Sequence, residues 1–274
     1  MIEKNITSID GIRIHYEVFE GKKPKKTLVF IHGFGGCLRA FDPIIKHFKK
    51  DDYKIINIDL RGHGKSERPK KSFQYKLNYF VNDIILILHN EKAKNIILIG
   101  HCFGGILSLD IAINHPDLIQ SMILINVSYK APDLSRFFYK YFPMKGFIFF
   151  MLKFFPHIYL KNYPSYDKYE KSGDYNAKRI GSDIIHTSPK SYLYISREIV
   201  NFDFASKLQK IKGNVLLIHG KKDRIFPISA AFELKKKIKN SKLEVIKKAN
   251  HLIVLNSNKE VIEIIEKNLE QKFL

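Results

Sequence analysis

A chain of 274 residues with 45% hydrophobic and 13% aromatic side chains has a globular composition, which excludes a disordered chain and allows one domain with an insertion or two domains. Its 47 Lys+Arg against 27 Asp+Glu give a net charge of +20, yet only 8 of the cations are arginine and the lysines are scattered along the chain. Without clustered charge or a reading motif, this balance fits solvated lysine-rich faces rather than nucleic-acid binding; an anionic partner, if one exists, would be a lipid surface or a CoA-type thioester. Two cysteines cannot frame a disulfide scaffold, so a reducing compartment is expected. The start MIEKNITSID carries Glu3 and Asp10 and no apolar core of signal-peptide length, so no export and a cytoplasmic location are expected, and the sequon at Asn5 carries no meaning. The longest apolar run, Gly146 to Leu152, falls far short of the roughly 20 residues a membrane span needs.

In chain order, Asn5 to Ile9 and Ile12 to Val18 flank Asp10-Gly11 and read as a hairpin with a two-residue turn. Thr27 to Ile31 is a short apolar run that suits a buried strand, and it ends in His32-Gly33-Phe34-Gly35-Gly36. A helix over about 40–48 follows, then a strand from Lys54 to Ile58 and the turn-rich loop Asp59 to Ser66. Leu77 to Leu88 reads as a helix, Asn95 to Ile99 as a strand, and Gly104 to Asn114 as a helix stopped before Pro116. Strands at Ser121 to Asn126, Asn214 to Ile218 and Leu243 to Ile246, with helices near 229–238 and 259–271, complete the alternation. That pattern predicts an α/β fold with a mostly parallel sheet covered on both faces.

Between Ser128 and about Asn201 the alternation breaks. Residues 129–169 hold 15 of the chain's 35 aromatic residues, and Phe147, Phe150, Met151, Phe154 and Phe155 recur at helical spacing. The segment reads as a helical cap over 128–200, inserted into a core of 1–127 and 201–274. Its aromatic density would line an apolar pocket suited to a medium or long acyl chain, with Phe138, Phe142, Phe150 and Phe154 as candidates, or would form the cap's own core. Both readings stay open. Lysines among these aromatics (Lys140, Lys145, Lys153, Lys161) would let the cap rest on an anionic membrane surface.

Gly100-His101-Cys102-Phe103-Gly104 follows a strand and opens a helix, the setting of a nucleophile elbow. Asp223 follows the strand in NVLLIHGKKD, and His251 follows the next strand in KKANHLIVLN. The order is nucleophile, acid, histidine, and His32-Gly33-Phe34 ends the third strand. With these pieces in register the sequence resembles the α/β-hydrolase family in its capped form, over essentially the whole chain. The resemblance implies an eight-stranded sheet, Cys102 as nucleophile, His251 as general base, Asp223 as its orienting carboxylate, and an oxyanion hole from the Phe34 and Phe103 backbone N–H groups. The chemistry supports each role. A thiol needs a base within reach, the base needs a third group to hold its tautomer, and the oxyanion needs fixed donors.

The remaining candidates read differently. His32, His63 and His101 are expected in loop or packing roles, and Cys37 in packing. Asp59 and Asp110 lie in the wrong places to replace Asp223, and Asn126 cannot act as a carboxylate. No paired Cys/His pattern appears, so no metal and no cofactor are expected. The family usually carries serine where Cys102 stands, and its epoxide-hydrolase and dehalogenase branches carry aspartate. A thiolate attacks carbonyls readily but also leaves better than an alkoxide, which favours thioesters, lactones and phenolic esters over alkyl esters. The first reading is an acyl hydrolase of esterase or thioesterase type, with a small-molecule acyl ester or thioester as substrate. The second is an acyltransferase resembling polyhydroxyalkanoate synthases, and the third is a non-catalytic binding module. Oligomeric state and acyl chain length stay open.

Overall fold

The structure, a computed structural model, describes residues 1–131, 154, 156–271 and 273–274. Eight strands form one sheet: β1 (Ile2–Thr7), β2 (Arg13–Phe19), β3 (Thr27–Ile31), β4 (Lys54–Ile58), β5 (Ile96–His101), β6 (Ser121–Ile125), β7 (Asn214–Gly220) and β8 (Ser241–Ile246). Their spatial order is β1-β2-β4-β3-β5-β6-β7-β8. β1 and β2 pair antiparallel, as do β2 and β4, and every other pair is parallel. The mostly parallel α/β sheet expected from the sequence is therefore present.

The central strands are buried on both faces, which is why they read as unbroken apolar runs. Strand alternation divides their side chains between two cores. Val29, Ile31, Leu98, Met122, Leu124 and Leu217 face one side, which α2 (Leu77–Asn90) and α3 (Phe103–Asn114) cover. Leu28, Phe30, Ile97, Ile99, Ile123 and Leu216 face the other, under α1 (Asp42–Phe48) and a C-terminal helix, Asn258–Glu270. α3 is buried nearly all round, so it shows almost no amphipathic stripe. Among the described residues, no helix is long and apolar enough to cross a membrane.

The hairpin is a correction. β1 ends at Thr7 and β2 begins at Arg13, leaving a five-residue connection over 8–12 instead of a two-residue turn at Asp10-Gly11. The reason is that the connection is anchored from outside the hairpin. Ser8 Oγ donates to Asp83 at 2.5 Å, and Asp10 accepts two hydrogen bonds from Arg61 at 2.9 and 3.2 Å. Gly11 takes the left-handed conformation the turn needs, at φ +83°.

In the segment expected to form a cap, the described residues include α4 (Ala177–Thr187) and α5 (Pro189–Ile199). Phe138, Phe142 and Phe150 lie outside the described residues, and so does the helical spacing of 147–153. The chain order fixes where a site belongs. From β3 the chain crosses to β4 on one side, and from β5 to β6 on the other. Ligands of open α/β sheets bind in the crevice where strand order reverses, at the carboxyl ends of the strands. Here that crevice lies between His32 and Cys102.

Candidate active site

β5 hands over to α3 at Cys102, whose backbone sits at φ +50° and ψ −111°. A non-glycine residue at positive φ stores strain and persists only where its surroundings hold it. The neighbouring glycines allow the crowding. A Cβ on Gly100 would lie 2.6 Å from the Gly104 backbone, and one on Gly104 would lie 2.0 Å from the Ile31 carbonyl oxygen. The Cys102 N–H donates to the Ile125 carbonyl at 3.1 Å, which pins the turn to β6. The thiol-bearing residue remains partly exposed.

Asp223 and His251 come together beside it. The Asp223 side chain is wholly buried, and its Oδ1 accepts from the N–H groups of Ile225 at 2.7 Å and Phe226 at 2.9 Å. Its Oδ2 lies 2.8 Å from His251 Nδ1, which makes Nδ1 the protonated nitrogen. The His251 ring also lies near Cys102, close enough for the two side chains to interact electrostatically. Burial works against a charged His251 ring, but the neighbouring Cys102 and Asp223 side chains outweigh it and raise its pKa to about 10.

Backbone contacts hold this histidine from three directions. Its N–H donates to Asp174 Oδ1 at 2.8 Å. Its carbonyl accepts from His101 Nε2 at 2.9 Å and from Asn126 Nδ2 at 3.0 Å. Asn126 Oδ1 in turn accepts from the Gly220 N–H at 2.8 Å, so one amide couples the loops that carry Asp223 and His251. His101 stays neutral: burial, then the neighbouring His251 charge, lower its pKa to about 3.

The loop after β3 abuts the thiol. A Cβ on Gly33 would lie 2.9 Å from His101 Nδ1 and 3.3 Å from Cys102 Cβ, so glycine eases the close approach of the Gly33-Phe34 backbone. Two buried histidines shape this loop. His32 Nε2 accepts from the Leu60 N–H at 3.1 Å while Nδ1 donates to the Gly33 carbonyl at 2.8 Å. His63 Nε2 accepts from the Gly35 N–H at 3.2 Å. Burial lowers the pKa of both rings. The Phe34 ring packs against Tyr192 of α5, with centroids 4.1 Å apart. The Phe103 ring points into the core against Phe80, while its backbone opens α3.

The other candidates separate clearly. Phe154 is 69% exposed. Cys37 is buried with its Sγ 3.6 Å from the Tyr166 hydroxyl, and burial, then the Asp59 charge, push its thiol pKa up, consistent with packing. Asp59 is a structural carboxylate: Oδ1 accepts from the Leu38 N–H, and Oδ2 from the Lys65 N–H and the Tyr163 hydroxyl. Sequence reasoning did not single out Asp174, Arg179 or Asp183. Arg179 pairs with Asp183 on α4 and donates through Nη2 to the Asp174 carbonyl at 3.0 Å. Burial raises the Asp183 pKa to about 7 against the lowering effect of Arg179. The only local signal for that pair was its i,i+4 spacing. Among the described residues, no group of three or more His, Cys, Asp or Glu is placed to hold a metal ion.

Comparison with known proteins gives the following. A family model described as alpha/beta hydrolase fold matches residues 26–257. Epoxide hydrolase 4 of Mus musculus is 34% identical over 116 residues, 42% of this chain, and the match spans only 32% of that protein. The uncharacterized hydrolase YugF of Bacillus subtilis is 26% identical over 260 residues, which is 90% of each chain. Among solved structures, an esterase from Exiguobacterium antarcticum superposes with a TM-score of 0.75 at 21% identity, covering 98% of this chain and 100% of that one. At that identity the likeness shows the fold alone.

Proposed function

This chain belongs to the alpha/beta hydrolase fold family, and on that premise we propose that it is an acyl hydrolase acting through Cys102, His251 and Asp223. One observation carries the reading. His251 is bonded through Nδ1 to a buried carboxylate while the same ring lies beside the strained elbow residue Cys102. A positioned base next to an activated nucleophile is the arrangement covalent acyl transfer requires.

In the first half-reaction the Cys102 thiolate attacks the substrate carbonyl carbon. A C–S bond forms, and the carbonyl π pair moves onto oxygen. The Phe34 and Phe103 N–H groups donate to that oxyanion, each such donor contributing about 2.7–4 kcal/mol in comparable sites. Collapse re-forms the carbonyl and breaks the bond to the leaving group, which takes its proton from His251. In the second half, His251 deprotonates a water that attacks the acyl carbon. The C–S bond then breaks, the carboxylic acid leaves, and the proton returns to the Cys102–His251 pair.

The cysteine selects the substrate class. When the leaving group is a plain alkoxide, the intermediate returns to reactants by expelling the thiolate. With a thioester, lactone or phenolic ester the substrate's own leaving group competes. Epoxide opening in this fold uses an aspartate at the elbow, a position that Cys102 occupies here. Tyr192, in the segment read as a cap, packs on Phe34 beside this chemistry, which supports a cap over the site.

The test is intact mass spectrometry after incubation with acyl thioesters and phenolic esters, comparing the wild type with Cys102→Ala. An acyl adduct on the wild type alone, clearing in water, is the expected result. An adduct that persists until an alcohol or amine is added would make the protein a transferase. Absence of adduct and of turnover across the series would overturn the enzymatic reading.

A further inference from the structure

Two cavities share one wall beside the candidate site. The inner one, about 40 Å3, is bordered by Gly33, Phe34, His101 and the Arg179–Asp183 pair, so it adjoins the loop that abuts Cys102. The outer one, about 320 Å3, opens among Arg39, Pro43, Tyr163 and Asp167. Tyr166 and Leu255 line both.

The wall is fixed from two sides. The Tyr166 hydroxyl accepts from the Cys37 N–H at 3.1 Å, so the ring is tied to the core segment that precedes α1. Leu255 lies in the single helical turn Ile253–Asn256, which begins two residues after His251. The inner cavity has room for only about three water-sized groups. That volume matches a short acyl chain, and the wall separates it from a space several times larger.

We infer that Tyr166 and Leu255 set the acyl-chain length this protein accepts, and that removing either side chain joins the inner cavity to the outer groove. The inference rests on the acyl-hydrolase reading and adds to it a preference for short acyl groups. In the native chain the outer groove takes no part of the acyl group.

The experiment measures kcat/KM for p-nitrophenyl esters from acetyl to decanoyl with the wild type, Tyr166→Ala, Leu255→Ala and Tyr166→Phe. The wild type should favour butyryl and shorter chains. Tyr166→Ala and Leu255→Ala should each raise the decanoyl-to-butyryl ratio by about tenfold or more, the scale expected when a pocket admits extra methylenes. Tyr166→Phe keeps the ring and should keep the ratio, although it loses the hydroxyl held by Cys37. If Tyr166→Ala does not fold, Leu255→Ala carries the comparison. A wild type that hydrolyses decanoyl as well as butyryl would overturn the inference, as would folded alanine variants with the wild-type ratio. Failure of the wild type to hydrolyse any ester or form a Cys102 adduct would instead overturn the acyl-hydrolase reading, and the length selection with it.

Discussion

Asp174 holds the backbone of His251: its Oδ1 accepts from the His251 N–H at 2.8 Å, and its Oδ2 accepts from the Arg224 N–H at 2.9 Å. Arg224 follows Asp223 directly, so this one buried carboxylate braces the loops of both the acid and the base. Asp174→Ala should cost about 1–3 kcal/mol, because one buried and one partly buried donor lose their acceptor. It should also lower kcat about 10–100-fold with little change in KM, since a misplaced base slows chemistry more than binding. Urea denaturation and steady-state kinetics check both. An Asp174→Ala variant with wild-type kcat would show that the histidine loop needs no such brace.

The His251 titration carries a second prediction. Its raised pKa means that the charged ring contributes stability fully below the unfolded value of about 6.5, and that this contribution is lost as pH rises toward 10. Asp223→Asn removes the charge of one of the two side chains that favour the charged ring. The ring should then titrate at lower pH, and kcat should fall by about 10³–10⁴. Histidine NMR titration of the two proteins reads the shift directly. A downward shift is expected; an unchanged or higher value in Asp223→Asn would remove the carboxylate from its assigned role.

Arg61 is fully buried and donates to Asp83 through Nε and Nη2, both at 2.7 Å, and to Asp10 through Nη1 at 2.9 Å. Asp83→Ala should destabilise the protein by about 3–5 kcal/mol, because it leaves a buried guanidinium short of a partner. The same loop carries His63, which accepts from the Gly35 N–H, so activity should fall along with stability. A loss under about 1 kcal/mol in urea denaturation would contradict the assignment of this pair to the framework.

Two glycine substitutions should move stability in opposite directions. Gly104→Ala would drive a Cβ to within 2.0 Å of the Ile31 carbonyl oxygen and should cost on the order of 3 kcal/mol or prevent folding. Gly181 lies within α4 with nothing within 4 Å of an added Cβ. Gly181→Ala should therefore stabilise by about 0.5–1 kcal/mol, as a helical glycine replaced by alanine does. Melting curves of the two variants should bracket the wild type.

What the sequence by itself determined is the local grammar of the chain. Thr27 to Ile31 and Lys54 to Ile58 are strands at the bounds read from their apolar runs, because central strands buried on both faces are mostly apolar. Cys102 between its glycines and Asp223 and His251 after their strands were legible for a related reason: each stands at a junction that local residue types mark. The tertiary structure alone decided what those junctions touch. The hairpin misread at Asp10-Gly11 turned on Arg61, 51 residues away, capturing Asp10. Asp174 meets His251 across 77 residues, and Asn126 meets it across 125. Such pairings leave no trace in local periodicity, which reports only which face of an element is buried. A polar side chain's partner is chosen by which chain ends the sheet order brings side by side, and that choice exists only once the strands have assembled.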